Sequence, residues 1–168
     1  MKPKRGSKPQ GVAALSGDAS SDSSHREMVA RIRASFERQQ MMQTIGATLE
    51  TVAAGRAEIG LPFRAELTQQ DGYLHAGVVA TIADSACGYA AYTLMPADGS
   101  VLTVEYKINL LSPARGDRFV ARATVLRPGR TLTVAQADVF ACTGDDEVRT
   151  ATMLATLIAL PNRSDRAG

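Results

Sequence analysis

A chain of 168 residues has room for one domain with a core of its own, and a second catalytic domain is not expected. Hydrophobic residues make up 45% and charged residues 21%, an ordinary balance for a soluble globular protein, and a net charge of +2 is too small to argue for nucleic acid. Apolar runs stop short of the ~18 residues of a membrane span, and Cys87 and Cys142 have neither metal nor redox spacing, which predicts a reduced, cytoplasmic protein without zinc.

Residues 1–24 combine Lys2, Lys4, Arg5 and Lys8 with Gly, Ser and Asp, and their one apolar patch is too short for a signal-peptide core; they read as a disordered arm. Order is predicted from Ser24-His25-Arg26-Glu27, a Ser-x-x-Glu capping box opening a helix to about Gln40. Val29, Ile32 and Phe36 recur at helical spacing as its buried stripe. Residues 44–53 read as a strand and Gly55 as a turn. In the next strand Ala57, Ile59, Leu61 and Phe63 alternate with Arg56, Glu58 and Gly60, the pattern of a sheet buried on one face.

Gln69-Gln70-Asp71-Gly72-Tyr73-Leu74-His75-Ala76-Gly77 then leads into a long apolar segment, 78–94, halted by Pro96. Its length favours helix over strand, and small or apolar side chains around most of its circumference predict burial. One acid, Asp84, interrupts it. An unpaired carboxylate in such surroundings costs several kcal/mol of desolvation, so Asp84 bonds a neighbouring hydroxyl such as Thr81 or Ser85, lies on an exposed edge, or performs chemistry. Ala76 and Gly77 at the helix start present backbone N–H groups without bulky side chains, backed by the positive end of the helix dipole, a suitable place for a developing oxyanion.

Beyond the Asp98-Gly99 turn, Leu102, Val104, Tyr106, Ile108 and Leu110 alternate with Thr103, Glu105, Lys107 and Asn109 as the clearest strand. Ser112-Pro113 ends it. Phe119, Ala121, Ala123 and Val125 mark one face of the next strand, Arg127-Pro128-Gly129-Arg130 is a hairpin signal, and residues 131–142 and 148–160 complete a meander before a polar tail, 161–168. The expectation is an α+β fold over residues 25–160: one curved antiparallel β-sheet wrapped around a long central helix.

The run His75-Ala76-Gly77-Val78-Val79-Ala80-Thr81-Ile82-Ala83-Asp84, with Gln69 six positions before His75 and Asp84 nine after it, resembles the signature of PaaI-like hotdog-fold acyl-CoA thioesterases. The stretch Thr103-Val104-Glu105-Tyr106-Lys107-Ile108-Asn109-Leu110 resembles that family's long strand. Ala76 stands where the family usually has glycine, and a backbone donor tolerates that change.

The resemblance implies hydrolysis of a medium-chain fatty acyl-CoA or aryl-CoA thioester, with CoA as part of the substrate and no separate cofactor. It further implies a homodimer whose two subunits build the site, and assembly into a tetramer is compatible with it. The oxyanion would rest on Ala76 or Gly77, and Asp84 would act as general base or nucleophile. Gln69 would orient water or carbonyl, Thr103 would support by a hydrogen bond, and His75 would fix the loop. Arg127, Arg130, Lys107, Arg115 and Arg118 are candidates for the CoA phosphates. Two other classes stay open at this point, a hotdog enoyl-CoA hydratase and a non-catalytic acyl-CoA binding module. The hydratase needs an acid and base pair that the distance between His75 and Asp84 disfavours. Cys87 reads as a small buried hydrophobe.

Overall fold

The computed structural model describes residues 18–161, with side chains from residue 21 onward. Helix α1 (Asp18–Glu37) starts ahead of the predicted Ser24 cap. Ser24 lies inside it, because an Asp22–Arg26 ion pair of 2.7 Å and a Ser23 to Glu27 hydrogen bond of 3.2 Å, both one turn apart, carry the helix upstream. Of the predicted disordered arm, residues 18–24 are therefore helical, and 1–17 fall outside the described residues, as does the predicted polar tail after Pro161. The predicted stripe holds: Ile32 and Phe36 are buried and Val29 packs against the core.

Thr44, expected in a strand, belongs instead to a short helix α2 (Gln40–Ile45) and bonds back to the Gln40 carbonyl at 2.9 Å. Gly46, left-handed at φ 75°, ends that helix, so strand β1 (Thr48–Ala53) begins later than expected. Strand β2 (Arg56–Pro62) follows, then helix α3 (Ala76–Tyr92), then β3 (Ser100–Leu110), β4 (Arg118–Arg127), β5 (Leu132–Thr143) and β6 (Asp146–Leu160). The strands form one antiparallel sheet in the order β1-β2-β4-β5-β6-β3.

Helix α3 lies against the inner face of this sheet and touches β2 through β6. Small residues on both sides allow that close approach: Ala83, Ala86, Ala90 and Ala91 on the helix meet a sheet face carrying Ala121, Ala123, Ala135, Ala137 and Ala155, all buried. The carbonyl end of α3 holds no basic residue of its own. Arg31 of α1 supplies one, donating to the carbonyls of Tyr92 (3.2 Å), Met95 (3.3 Å) and Pro96 (3.4 Å) while its guanidinium lies 4.3 Å above the Tyr92 ring. Arg33 similarly reaches the carbonyls of Leu49 and Glu50. Two arginines thus fasten α1 to the domain. Among the described residues no helix is long and apolar enough to cross a membrane.

Strand β3 departs from its sequence pattern. Its register against β6 shifts between Thr103 and Glu105, a bulge that reverses which side chains face inward. Thr103, Tyr106, Ile108 and Leu110 pair with Leu157, Ala155, Met153 and Ala151, all buried, so these four strand residues share the helix-facing side. Leu102 precedes the bulge and points to the outer face, where it is 57% exposed. The apolar row read from the sequence is therefore divided between two faces. In the sheet, β6 is enclosed between β5 and β3, and β3 is an edge strand.

Candidate active site

The approach to α3 is a tight turn. Gln69 and Tyr73 close it by a backbone bond of 2.9 Å, Gly72 takes φ 82°, and the Gln69 side-chain oxygen accepts from the Asp71 N–H. That bond occupies the carbonyl end of the Gln69 amide and leaves its NH₂ end as a donor. Gln69 and Ala76 line one cavity of about 440 Å³, together with Leu110 at the end of β3 and Ala114 beyond it.

His75 is the N-cap of α3, and its ring nitrogen Nδ1 accepts the Gly77 N–H at 2.9 Å. Its backbone carbonyl takes the N–H groups of Val78 and Val79. Gly77 was a predicted oxyanion donor, and its N–H is already spent on this cap. A Cβ at position 77 would stand 3.0 Å from His75 Nδ1, so glycine there makes room for the ring. Ala76 is exposed, and its N–H has no partner among the described residues. Of the two predicted donors it is Ala76 that stays available. His75 ties the loop to the start of α3 through this cap.

Asp84 projects from the middle of α3 and is half-buried. The two helical neighbours considered as partners are engaged elsewhere: Thr81 bonds the Gly77 carbonyl at 2.7 Å, and Ser85 accepts from Gln39 at 3.4 Å. The partner is Thr103, whose hydroxyl donates to Asp84 Oδ1 at 2.7 Å. Thr103 can do so because it precedes the bulge on the inward side of β3. The bond fixes one carboxylate oxygen and leaves the other open. Asp84 and Thr103 line a second, larger cavity of about 670 Å³.

The six predicted site residues thus form two groups within one chain. Gln69, His75, Ala76 and Gly77 gather at the start of α3, and Asp84 meets Thr103 two turns later, about 12 Å along the axis from Ala76. Cys87, one turn beyond Asp84, is fully buried, and burial first, then the Asp84 charge, push its thiol up to about 12. It is a protonated packing group, as anticipated.

The five basic candidates do not converge on one cavity. Arg118 is committed to Glu50, which it meets in a short ion pair across the sheet, and the Glu50 hydrogen bond raises it above the ordinary arginine value. Lys107 pairs in register with Leu154, on the face turned away from α3. Arg127 ends β4 and Arg130 stands in the exposed hairpin beyond it. Arg115 directly follows Pro113 and Ala114, which line the Gln69 cavity.

The sequence reading missed the wall opposite Asp84. Gln39, at the junction of α1 and α2, lines the larger cavity with Ser35 and Arg38, facing Ser85, Tyr89 and Tyr92 of α3. Tyr89 donates to Gln39 Oε1 at 3.3 Å. Burial foremost raises the Tyr89 phenol from its ordinary value, so it stands as a neutral donor and acceptor. A signal was present: Asp84, Ser85, Tyr89 and Tyr92 put polar groups on one stripe of a helix otherwise built from alanine and aliphatics.

Comparison with known proteins agrees with this architecture. The sequence profile of the Thioesterase superfamily matches residues 71–148. A solved thioesterase family protein from Silicibacter pomeroyi is 52% identical and superposes with a TM-score of 0.79, over 80% of this chain and 99% of that one. The chain belongs to the thioesterase superfamily. A relative from Halobacterium salinarum, named provisionally as an esterase, is 32% identical over 104 residues, 59% of this thioesterase and 68% of that protein. The PaaI protein of Escherichia coli, 17% identical, shares the hotdog fold at a TM-score of 0.74 over 82% of this thioesterase and 96% of PaaI. The thioesterase is thus a PaaI-like hotdog protein and a thioester hydrolase. The hydratase reading also loses ground on geometry, since the ring nitrogen of His75 nearest the helix is used as a cap.

Proposed function

We propose that the thioesterase hydrolyses acyl-CoA thioesters, medium-chain or aryl, at a site completed by two copies of the chain. Asp84 carries this reading: a carboxylate on a largely apolar helix, held at one oxygen by Thr103 and facing a cavity with the other. A 1,4-dihydroxy-2-naphthoyl-CoA hydrolase from Listeria monocytogenes, 28% identical over 94 residues, supports an acyl-CoA substrate.

The Ala76 N–H receives the thioester carbonyl oxygen, where negative charge grows in the tetrahedral intermediate. Gln69 donates its amide N–H groups to the same oxygen or to the attacking water. Asp84 takes a proton from that water as its oxygen bonds to the carbonyl carbon. Collapse of the intermediate reforms the carbonyl, breaks the carbon–sulfur bond and expels CoA.

A donor and a base acting on one carbonyl must both lie within about 3 Å of it or of its water. Ala76 and Asp84 of one chain are too far apart along α3 for that, so each site takes Gln69 and Ala76 from one protomer and Asp84 and Thr103 from another. Edge strand β3 is suited to the contact. It is 11 residues long, its outer edge has no strand partner in the sheet, and Val104, Tyr106 and Leu110 are exposed. Arg115 is the basic residue best placed for a CoA phosphate. The decisive measurement is CoA thiol release over a panel of acyl-CoA chain lengths. Wild type is expected to turn over part of the panel and Asp84→Asn none of it; equal rates for the two proteins would end the reading.

A further inference from the structure

Most arginines of the described chain are spent on neighbours. Arg118 pairs with Glu50, Arg122 with Glu147 and Glu58, and Arg149 with Asp138, while Arg31 and Arg33 hold backbone carbonyls. Arg56, Arg127 and Arg130 differ: all three are exposed, and none has a hydrogen bond or ion pair among the described residues. They stand at one end of the molecule. Gly55, beside Arg56, donates to Thr93 Oγ1 at 2.7 Å just past α3 and accepts from the Val125 N–H at 2.8 Å, which brings the β1–β2 turn, the end of α3 and the β4–β5 hairpin together.

Exposed leucines share this end. Leu94 follows α3 and lies against the Gly55 turn, where an added Cβ would stand 3.5 Å from Leu94 Cδ1. Leu126 and Leu132 flank the hairpin, which reads Leu126-Arg127-Pro128-Gly129-Arg130-Thr131-Leu132. All three leucines are largely open to solvent. Across the turns gathered here, residues 53–56, 94–99 and 126–132, the charged residues are Arg56, Arg127, Arg130 and a single acid, Asp98. Helix α1 adds to this side. It runs antiparallel to α3, since Arg31 meets Tyr92 and Pro96 while Gln39 meets Ser85 and Tyr89, so the chain enters α1 from beyond the α3 end. Early in α1, Asp22 and Glu27 are bonded to Arg26 and Ser23. The sequence ahead of Asp18 carries Lys2, Lys4, Arg5 and Lys8 and no acid.

We infer that this end docks on an anionic lipid bilayer, with the leucines entering the headgroup layer and the arginines meeting its phosphates. Apolar and basic residues are interleaved on a protruding hairpin, and neither cavity takes a lining residue from 126–132. A fluid bilayer accepts such a tip without a shaped groove, whereas a folded partner needs matching relief. Arginine suits the position, since its stem lies along the hydrocarbon boundary while its head pairs with phosphate. A second copy fits less well, because a two-fold contact through this end sets Arg56, Arg127 and Arg130 close to their own copies. Strand β3, the edge assigned to the dimer contact, is separated from the hairpin strands β4 and β5 by β6, so that contact does not occupy the hairpin.

Vesicle flotation with the full chain tests this, on phosphatidylcholine alone and on phosphatidylcholine mixed with an equal amount of phosphatidylglycerol. Wild type is expected to bind the mixed vesicles about tenfold or more tightly than the neutral ones, and to bind less as salt is raised. Arg127→Gln and Arg130→Gln should each weaken that binding about fivefold. Leu126→Ser combined with Leu132→Ser should weaken it about tenfold while the salt dependence persists. Arg64→Gln, the same charge change on the segment leading into α3, should bind as wild type does. Melting curves check that every variant is folded. A wild type that ignores vesicles or treats both kinds alike overturns the inference, as do arginine variants that bind like wild type. Full displacement by soluble glycerol phosphate would assign the arginines to a small anion. Self-association lost in the leucine variant, without vesicle binding by wild type, would assign the end to a second copy. Either of these results overturns the lipid surface.

Discussion

The Thr103 hydroxyl donates to Asp84 Oδ1 across 2.7 Å, joining an edge strand to the middle of the central helix. This contact orients the carboxylate without neutralising it, so its loss should affect turnover more than substrate affinity. Thr103→Val keeps the shape and removes the donor. The expected outcome is a fall in kcat of about tenfold with KM within a factor of two, whereas Asp84→Asn should cost about 10²–10⁴. Steady-state kinetics on the best substrate of the acyl-CoA panel check both values.

Ala76 allows an unusually clean test of the oxyanion donor. Proline is tolerated at the first position of a helix, where it removes an N–H that no helical carbonyl uses. His75, with φ −61° and ψ 135°, already has the extended backbone that a following proline requires. Ala76→Pro should therefore fold with a melting temperature near wild type and lose about 10²–10³ in kcat. A fully active Ala76→Pro protein would transfer the oxyanion to a different donor.

The parts of the fold that local chemistry determines were legible in the sequence. The apolar length of α3, the Pro-Gly hairpin and the alternation of Ala57, Ile59 and Leu61 in β2 each depend on neighbours within a few residues, and each appears where expected; Phe63, expected in the same row, lies past the end of β2 and is 43% exposed. The errors arose where a distant partner decides. The bulge after Thr103 shifts β3 against β6, which no pattern within β3 announces, and it places Leu102 outside and Thr103 at Asp84. Gln39 reads as an unremarkable surface glutamine until α1 is packed beside α3. Gly77 looked available because its glycine identity suggested ligand access, when its purpose is to accommodate the His75 ring. The His75 cap itself is a side-chain bond over two residues that the motif carried but composition alone could not specify.

Cys87 predicts an alkaline weakness. Its thiol is pushed up to about 12 in the folded protein from an ordinary 9.0, because burial first and the Asp84 charge second disfavour the thiolate. Between those values the folded state holds a proton that the unfolded chain has released. The contribution is complete below pH 9 and is lost as pH rises toward 12, so stability falls with pH across that window. Urea melts should show wild type losing about 2 kcal/mol more than Cys87→Ala between pH 8 and pH 10.5. Parallel pH dependence in the two proteins would contradict the placement of this thiol.

Arg31 binds three carbonyls at the end of α3 and stacks on Tyr92, so it should stabilise both helices at once. Arg31→Ala is expected to cost about 1–3 kcal/mol, combining lost charged hydrogen bonds with lost stacking. Arg31→Lys should recover less than half, since an ammonium cannot fork across several carbonyls and lie flat on a ring. Chemical denaturation at fixed salt measures both.

Mixing two dead proteins tests whether one site needs two chains. Ala76→Pro retains Asp84 and Thr103, while Asp84→Asn retains Gln69 and the Ala76 N–H. In a mixed dimer with shared sites, one site receives both defects and the other receives neither. Random exchange at equal amounts makes half the dimers mixed, each with one intact site of two, so activity should rise to about a quarter of wild type. If donor and base came from the same chain, every site in the mixture would keep one defect and activity would stay at the level of the separate variants. Subunit exchange by mild denaturant and dilution, followed by CoA release, separates these outcomes. Weakening the β3 edge, for example by Val104→Asp, should abolish the recovery along with the dimer, because the rescued site exists only while two copies remain joined.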